Sequence, residues 1–178
     1  MRCHSDSFKA EEEIGRLLME QRLTLGLAES CTGGLIASRI TGVPGSSAYF
    51  AGCVVAYGNR VKEAVLNVSA HELAVFGAVS GEVARSMAGG AKKTLMTEIG
   101  LAVTGIAGPG GGTPEKPVGL VYIALDAPGF IITRELRLGG DRNEIRTATV
   151  ESALEMLLKY LLESGGLGIG KGPGIRDY

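Results

Sequence analysis

The stretch Gly105-Ile106-Ala107-Gly108-Pro109-Gly110-Gly111-Gly112-Thr113-Pro114-Glu115-Lys116-Pro117 can be neither helix nor interior strand. Its prolines lack the amide that either hydrogen-bond ladder needs, and its glycines have the most backbone entropy to lose. It divides the chain into two halves of different pattern. Before it, short apolar runs alternate with helical periodicity; after it come two strand-like runs and one long helical pattern. That order predicts an α/β sandwich with a mixed sheet.

Residues 8 to 22 read as an amphipathic helix. Ser7 can cap it, Glu11, Glu12 and Glu13 suit the positive end of its dipole, and Ile14, Leu17 and Leu18 form the apolar stripe. Leu23, Leu25 and Leu27 alternate as a strand does. Leu35 to Ile40 opens a second helix, and Cys53 to Tyr57 reads as a second strand. Helical character runs from Arg60 to Gly90, broken at Gly77, with Ser69 and Ser80 as caps. Its third segment, Val83 to Leu95, carries Ala84, Ala88, Gly89, Gly90 and Ala91, small enough for close packing. Ile99 to Thr104 is a buried strand, and Val118 to Leu125 with Phe130 to Leu138 form an antiparallel hairpin. Asp141 and Glu144 make a capping box that opens a final helix ending near Leu162. Residues 1–163 are therefore one domain, and the glycine-rich residues 164–178 a flexible low-complexity tail.

Composition limits the chemistry. With 45% hydrophobic residues in 178 the chain can fill a core, and 18 Lys plus Arg against 19 Asp plus Glu leaves no basic surplus for nucleic acid. No apolar run reaches the roughly 18 residues of a membrane span, and no signal peptide is visible, so a cytoplasmic protein with no membrane partner is expected. Cys3, Cys31 and Cys53 are too few and scattered for a disulfide framework or a zinc site. His4 lies in a polar leader and His71 inside the capping box Ser69-Ala70-His71-Glu72. A histidine triad or a histidine-rich metal centre has little to draw on. The small-residue helix and the apolar hairpin favour a homo-oligomer.

Four segments join glycines to hydroxyls or charges at strand ends, where α/β ligand sites collect. Glu29-Ser30-Cys31-Thr32-Gly33-Gly34 opens a helix whose free amides suit a phosphate or carboxylate, unless Thr32 is only a cap and the glycines only allow tight packing. Cys31 there is a weaker candidate nucleophile, with no histidine nearby. Gly45-Ser46-Ser47 is followed by Tyr57, Asn59 and Lys62; a serine needs a base, and a desolvated lysine can be one. Thr104-Gly105-Ile106-Ala107-Gly108-Pro109 opens the long loop, whose amides can hold an oxyanion, a ribose or a carboxamide. Gly139-Gly140-Asp141-Arg142, with Arg146 one turn later, can grip a phosphate or simply start a solvated helix.

In order along the chain, Ala28 to Gly34, Pro44 to Ser47, Tyr57 to Lys62, Gly77-Ala78-Val79-Ser80, Thr104 to Gly111, Glu115 to Gly119 and Gly140-Asp141-Arg142 resemble the CinA C-terminal domain family, whose stand-alone form is the nicotinamide-mononucleotide amidases. The resemblance implies a three-layer α/β/α sandwich with a mixed, mostly parallel sheet and a late antiparallel hairpin. It implies an amidohydrolase that deamidates nicotinamide mononucleotide to nicotinate mononucleotide and ammonia, in pyridine-nucleotide recycling, with no metal or organic cofactor. By position, Ser47 is the nucleophile, Lys62 its base and Tyr57 the link between them. Ser30, Thr32, Gly33, Gly34, Thr104, Gly105 and Arg142 line the substrate pocket by the same carry-over, and Ser46 and Arg146 are further substrate-binding candidates. The alternative is a non-catalytic nucleotide-binding regulatory module of the same family. One position departs from the family pattern: Gly58 stands where serine follows the strand-end tyrosine, and the missing hydroxyl bears on the Tyr57 to Lys62 turn.

Overall fold

A computed structural model describes residues 9–164. In chain order it contains α1 (Ala10–Gln21), β1 (Leu25–Glu29), α2 (Leu35–Thr41), a 3-10 turn (Ser46–Ala48), β2 (Phe50–Val55), α3 (Asn59–Leu66), α4 (Ala70–Phe76), α5 (Gly81–Thr94), β3 (Ile99–Gly105), β4 (Leu120–Ala127), β5 (Phe130–Arg137) and α6 (Arg142–Ser164). The five strands form one sheet in the order β2-β1-β3-β4-β5. β2, β1 and β3 are parallel, and β3, β4 and β5 are successively antiparallel. This is the expected mixed sheet with its late hairpin.

The strands explain the layers. In β1 and β3 large residues alternate with small ones: Leu25-Gly26-Leu27-Ala28 and Ile99-Gly100-Leu101-Ala102-Val103. Successive side chains point to opposite faces. The large set meets α1, α2 and α6 in one buried cluster that includes Leu18, Ile36, Ile40, Leu154 and Leu157. The small set leaves a shallow face, and α5 lies on it with Ala84, Ala88 and Ala91, joined by Leu66 at the end of α3 and Leu73 of α4. The approach is close: a Cβ on Gly90 would stand 2.1 Å from the carbonyl oxygen of Leu66. The small-residue stripe of α5 is thus used within the chain. The hairpin leaves Phe130, Ile131 and Ile132 exposed at the sheet edge.

Several boundaries move for local reasons. Leu23 belongs to the end of α1, its amide bonded to the Leu18 carbonyl after Arg22 turns left-handed at φ 55°. The cap position of α1 is Lys9, which makes no side-chain capping bond; Ser7 and His4 lie outside the described residues. Tyr57 falls beyond the end of β2 rather than inside it. Ser69 with Glu72 and Asp141 with Glu144 form the expected reciprocal caps, and Ser80 caps α5. Ser164 closes α6 as a buried residue instead of starting the tail, whose residues 165–178 lie outside the described region.

Candidate active site

The three parallel strands end side by side, and each hands the chain to a segment of the same cleft. Ser30 follows β1, Ala56 and Tyr57 follow β2, and Thr104 and Gly105 close β3, Gly105 pairing with Val121 as the last residue of this central strand rather than opening the loop as expected. β1 connects to β2 through α2 on one face of the sheet, and β2 crosses back to β3 through α3 to α5 on the other, a change of direction and face of the kind at which open α/β sheets form their ligand crevice. The cavity there measures about 260 Å³. Ser30, Cys31, Tyr57, Lys62, Thr104 and Arg142 line it, with Ala78 and Val79 on one wall and the Ile106–Gly111 loop on the other.

Lys62 is the unusual residue. It sits in the second turn of α3, is only 1% exposed, and forms no ion pair among the described residues. Its Nζ contacts the carbonyl oxygen of Ala56 at 2.7 Å, that of Tyr57 at 3.3 Å, and Ser30 Oγ at 3.2 Å. Burial holds its pKa below the ordinary lysine value, with the neighbouring Cys31 as a smaller influence the other way. A neutral amine has two N–H donors and one lone pair. As an ammonium Lys62 donates to all three oxygens; in the neutral form the two carbonyls can take its two protons, which leaves the lone pair facing the hydroxyl of Ser30.

Ser47 is elsewhere. It occupies the exposed 3-10 turn that precedes β2, at the end of the sheet where Leu25 starts β1 and donates to the Tyr49 carbonyl. Lys62 lies beyond the other end of β2, and at about 3.3 Å per strand residue the two are separated by roughly 20 Å. A single chain therefore does not bring Ser47 or Ser46 to the cleft, and the serine that meets the lysine is Ser30. Tyr57 also acts differently from the expected link. Its carbonyl accepts from Lys62, whereas its 63%-exposed ring carries a hydroxyl that accepts from Arg142 Nη2 at 3.2 Å.

Thr32, Gly33 and Gly34 do not line the cavity either, because a carboxylate of the chain itself occupies their helix start. Glu29 is fully buried; it accepts from Thr32 Oγ1 at 2.6 Å, from the Gly34 amide at 2.8 Å and from the Ala37 amide at 2.8 Å. Gly34 supplies the left-handed turn at φ 96° that aims its amide there. Two of the amides at the start of α2 are thus taken by a side chain of the chain itself. Arg146 braces the same turn, its Nη2 donating to the Thr32 carbonyl at 2.8 Å. Arg142, the first residue of α6, is the arginine at the cleft, its Nη1 donating to the Gly108 carbonyl at 2.6 Å. Cys31 lines the cavity, but burial pushes its thiol up to about 11, which leaves little thiolate near neutral pH.

Sequence reasoning missed two contributions. Ala78 and Val79 form a wall, and Glu29 organises the turn that carries Ser30. The signal for Glu29 was a lone charge at the end of an otherwise apolar strand.

The model of the CinA C-terminal domain matches residues 7–161. This chain belongs to that family. It is 52% identical over 157 residues to a putative competence-damage inducible protein of Halothermothrix orenii, covering 88% of this chain and 38% of that one. It is 52% identical over 152 residues to a CinA-like protein of Dictyoglomus thermophilum, covering 85% and 37%. The chain thus spans well under half the length of these curated relatives. Among solved structures, the competence/damage inducible protein CihA of Agrobacterium tumefaciens has a TM-score of 0.79 at 44% identity, covering 88% of this chain and 98% of that one. A CinA superfamily protein of Klebsiella pneumoniae has a TM-score of 0.83 at 32% identity, covering 86% and 96%. The fold is the family's own. Among the described residues, no helix is long and apolar enough to cross a membrane.

Proposed function

We propose that this member of the CinA C-terminal domain family hydrolyses the carboxamide of nicotinamide mononucleotide, releasing ammonia and nicotinate mononucleotide in pyridine-nucleotide recycling. Ser30 is the nucleophile and Lys62 the base. One observation carries the reading: a buried lysine with no carboxylate partner stands 3.2 Å from a serine hydroxyl inside a cavity. Burying an ammonium without a counter-ion is costly, and a binding module gains nothing from it. A proton acceptor gains from the same burial, which favours the neutral amine and its lone pair.

In this reading the Ser30 hydroxyl gives its proton to Lys62 Nζ as Oγ bonds to the carboxamide carbon. Lys62 returns that proton to the departing nitrogen, the C–N bond breaks, and ammonia leaves. Water then attacks the acyl-enzyme with Lys62 again as base. The main chain of the Thr104 to Gly111 loop faces the developing oxyanion, and such donors are each worth about 3 kcal/mol. Arg142 takes the phosphate end. A second depression of about 520 Å³, sharing Ala107 and Arg142 with the cavity, gives a nucleotide the length it needs.

The test is ammonia release from nicotinamide mononucleotide by the purified chain and two serine variants. Ser30→Ala is expected to lower kcat by at least about 10³-fold. Ser47→Ala is expected to stay within about threefold, as a surface substitution does. Tight nucleotide binding with no ammonia from the parent would make the chain a regulatory binding module instead. Loss of activity in Ser47→Ala alone would move the attack to the exposed serine and require it to come from another chain.

A further inference from the structure

We infer that Lys116 is a positioning residue that sets the width of the cleft by clasping its two walls together. The inference rests on reading this cleft as the substrate site. One wall is the connection from α4 to α5, Gly77-Ala78-Val79-Ser80; the other is the long glycine loop. The loop is secured at its base, where the Ile106 amide bonds the Leu120 carbonyl and the Gly119 amide bonds the Ile106 carbonyl. Its outer part closes on itself: the Thr113 amide bonds the Lys116 carbonyl, and Thr113 Oγ1 accepts from the Lys116 amide. That turn presents the Lys116 side chain to the opposite wall.

There its Nζ donates to the Phe76 carbonyl at 2.5 Å and the Val79 carbonyl at 2.7 Å. Phe76 ends α4, so its carbonyl has no partner within the helix, and a cation is the favoured group at that end. Lys116 is half-buried and forms no ion pair among the described residues, so these two carbonyls are its anchors. The wall is shaped to receive it. Gly77, between the two accepting residues, has φ 73°, and a Cβ there would stand 3.0 Å from Lys116 Nζ. Further in, Thr104 Oγ1 donates to the Ala78 carbonyl at 2.8 Å and ties the base of the same wall. Between these ties lie the residues that face the substrate, so releasing the outer one widens the cleft and leaves Ser30 and Lys62 where they are.

The experiment compares the parent with Lys116→Met, Lys116→Arg and, as a loop control, Glu115→Ala, by local hydrogen exchange and by steady-state kinetics on nicotinamide mononucleotide. Lys116→Met is expected to exchange about tenfold faster at residues 77–80 and 106–116, and to raise KM about tenfold while kcat stays within about threefold. Lys116→Arg, which can still donate to both carbonyls, restores most of the protection and of KM, and Glu115→Ala changes neither. Parent-like exchange in Lys116→Met would overturn the clasp. So would faster exchange spread evenly over the chain, faster exchange with an unchanged KM, or a fall in kcat alone. Exchange needs no turnover, so a parent that releases no ammonia would defeat the amidase reading while leaving the clasp to be judged on protection alone.

Discussion

Lys62 is the base of the proposed reaction, and the lowering of its pKa by burial has two measurable consequences. If the neutral amine is the working form, kcat/KM rises with pH through a single ionisation below the ordinary lysine value of 10.5 and levels off above it. A rate that falls over the same range would remove Lys62 as the base. The same shift enters stability. Between the lowered folded pKa and the unfolded value, the unfolded chain binds a proton that the folded chain does not, so folding stability from this site increases as pH rises. Urea unfolding of the parent and Lys62→Met at about pH 7 and pH 10 should show the difference moving in the parent's favour at the higher pH. A difference independent of pH would mean the lysine is not desolvated. Glu29, also fully buried, takes its hydrogen bonds from a hydroxyl, two main-chain amides and the Cys53 thiol rather than from a cation.

The short helix α3 delivers that lysine, and its start explains the departure at Gly58. Gly58 is the cap position of α3, with extended backbone at φ −92° and ψ 155° and no side-chain capping bond. A Cβ there would meet nothing within 4 Å. Gly58→Ser is therefore expected to add a cap worth a few tenths of a kcal/mol, about 0.3, seen as a higher urea midpoint with the same m-value. A lower midpoint would show that the open space serves something else. Elements of this kind were legible in the chain because their signals are local. Ser69 with Glu72 and Asp141 with Glu144 are reciprocal caps that act within four residues, and the large-small alternation of β1 and β3 is a period-two pattern. Boundaries were less legible: Leu23 alternates with Leu25 and Leu27, yet a main-chain bond back to Leu18 assigns it to the end of α1.

The cleft joins β1, β2, β3, the glycine loop and the start of α6, so occupying it should stabilise the entire fold. Nicotinate mononucleotide at about a hundred times its Kd is expected to add about 2.7 kcal/mol, raising Tm by roughly 5–11 °C for a chain of this size. Ser47→Ala should keep that rise and Arg142→Ala should lose most of it. An equal rise in both variants would place the phosphate away from Arg142. The small residues of α5 are spent against β3 and Leu66 and so offer nothing to a second copy, whereas the sheet edges keep Val55 of β2 and Phe130 to Ile132 of β5 exposed.

The chain's own text settled which segments are helix and strand, give or take their ends, and the family to which these belong. All of that rests on neighbours within a turn or two, or on the order of motifs. It did not settle which serine serves the lysine. Ser47 is nearer to Lys62 in sequence, but a strand between them carries the two to opposite ends of the sheet. Ser30 is farther along the chain, yet parallel pairing of β1 with β2 and β3 aligns their C-terminal ends, and the residues that follow them are forced into one cleft. The same holds for Lys116, which finds the carbonyls of Phe76 and Val79 across space; Glu29 differs, since Thr32, Gly34 and Ala37 follow it closely in the chain and only the turn at Gly34 aims their donors at it.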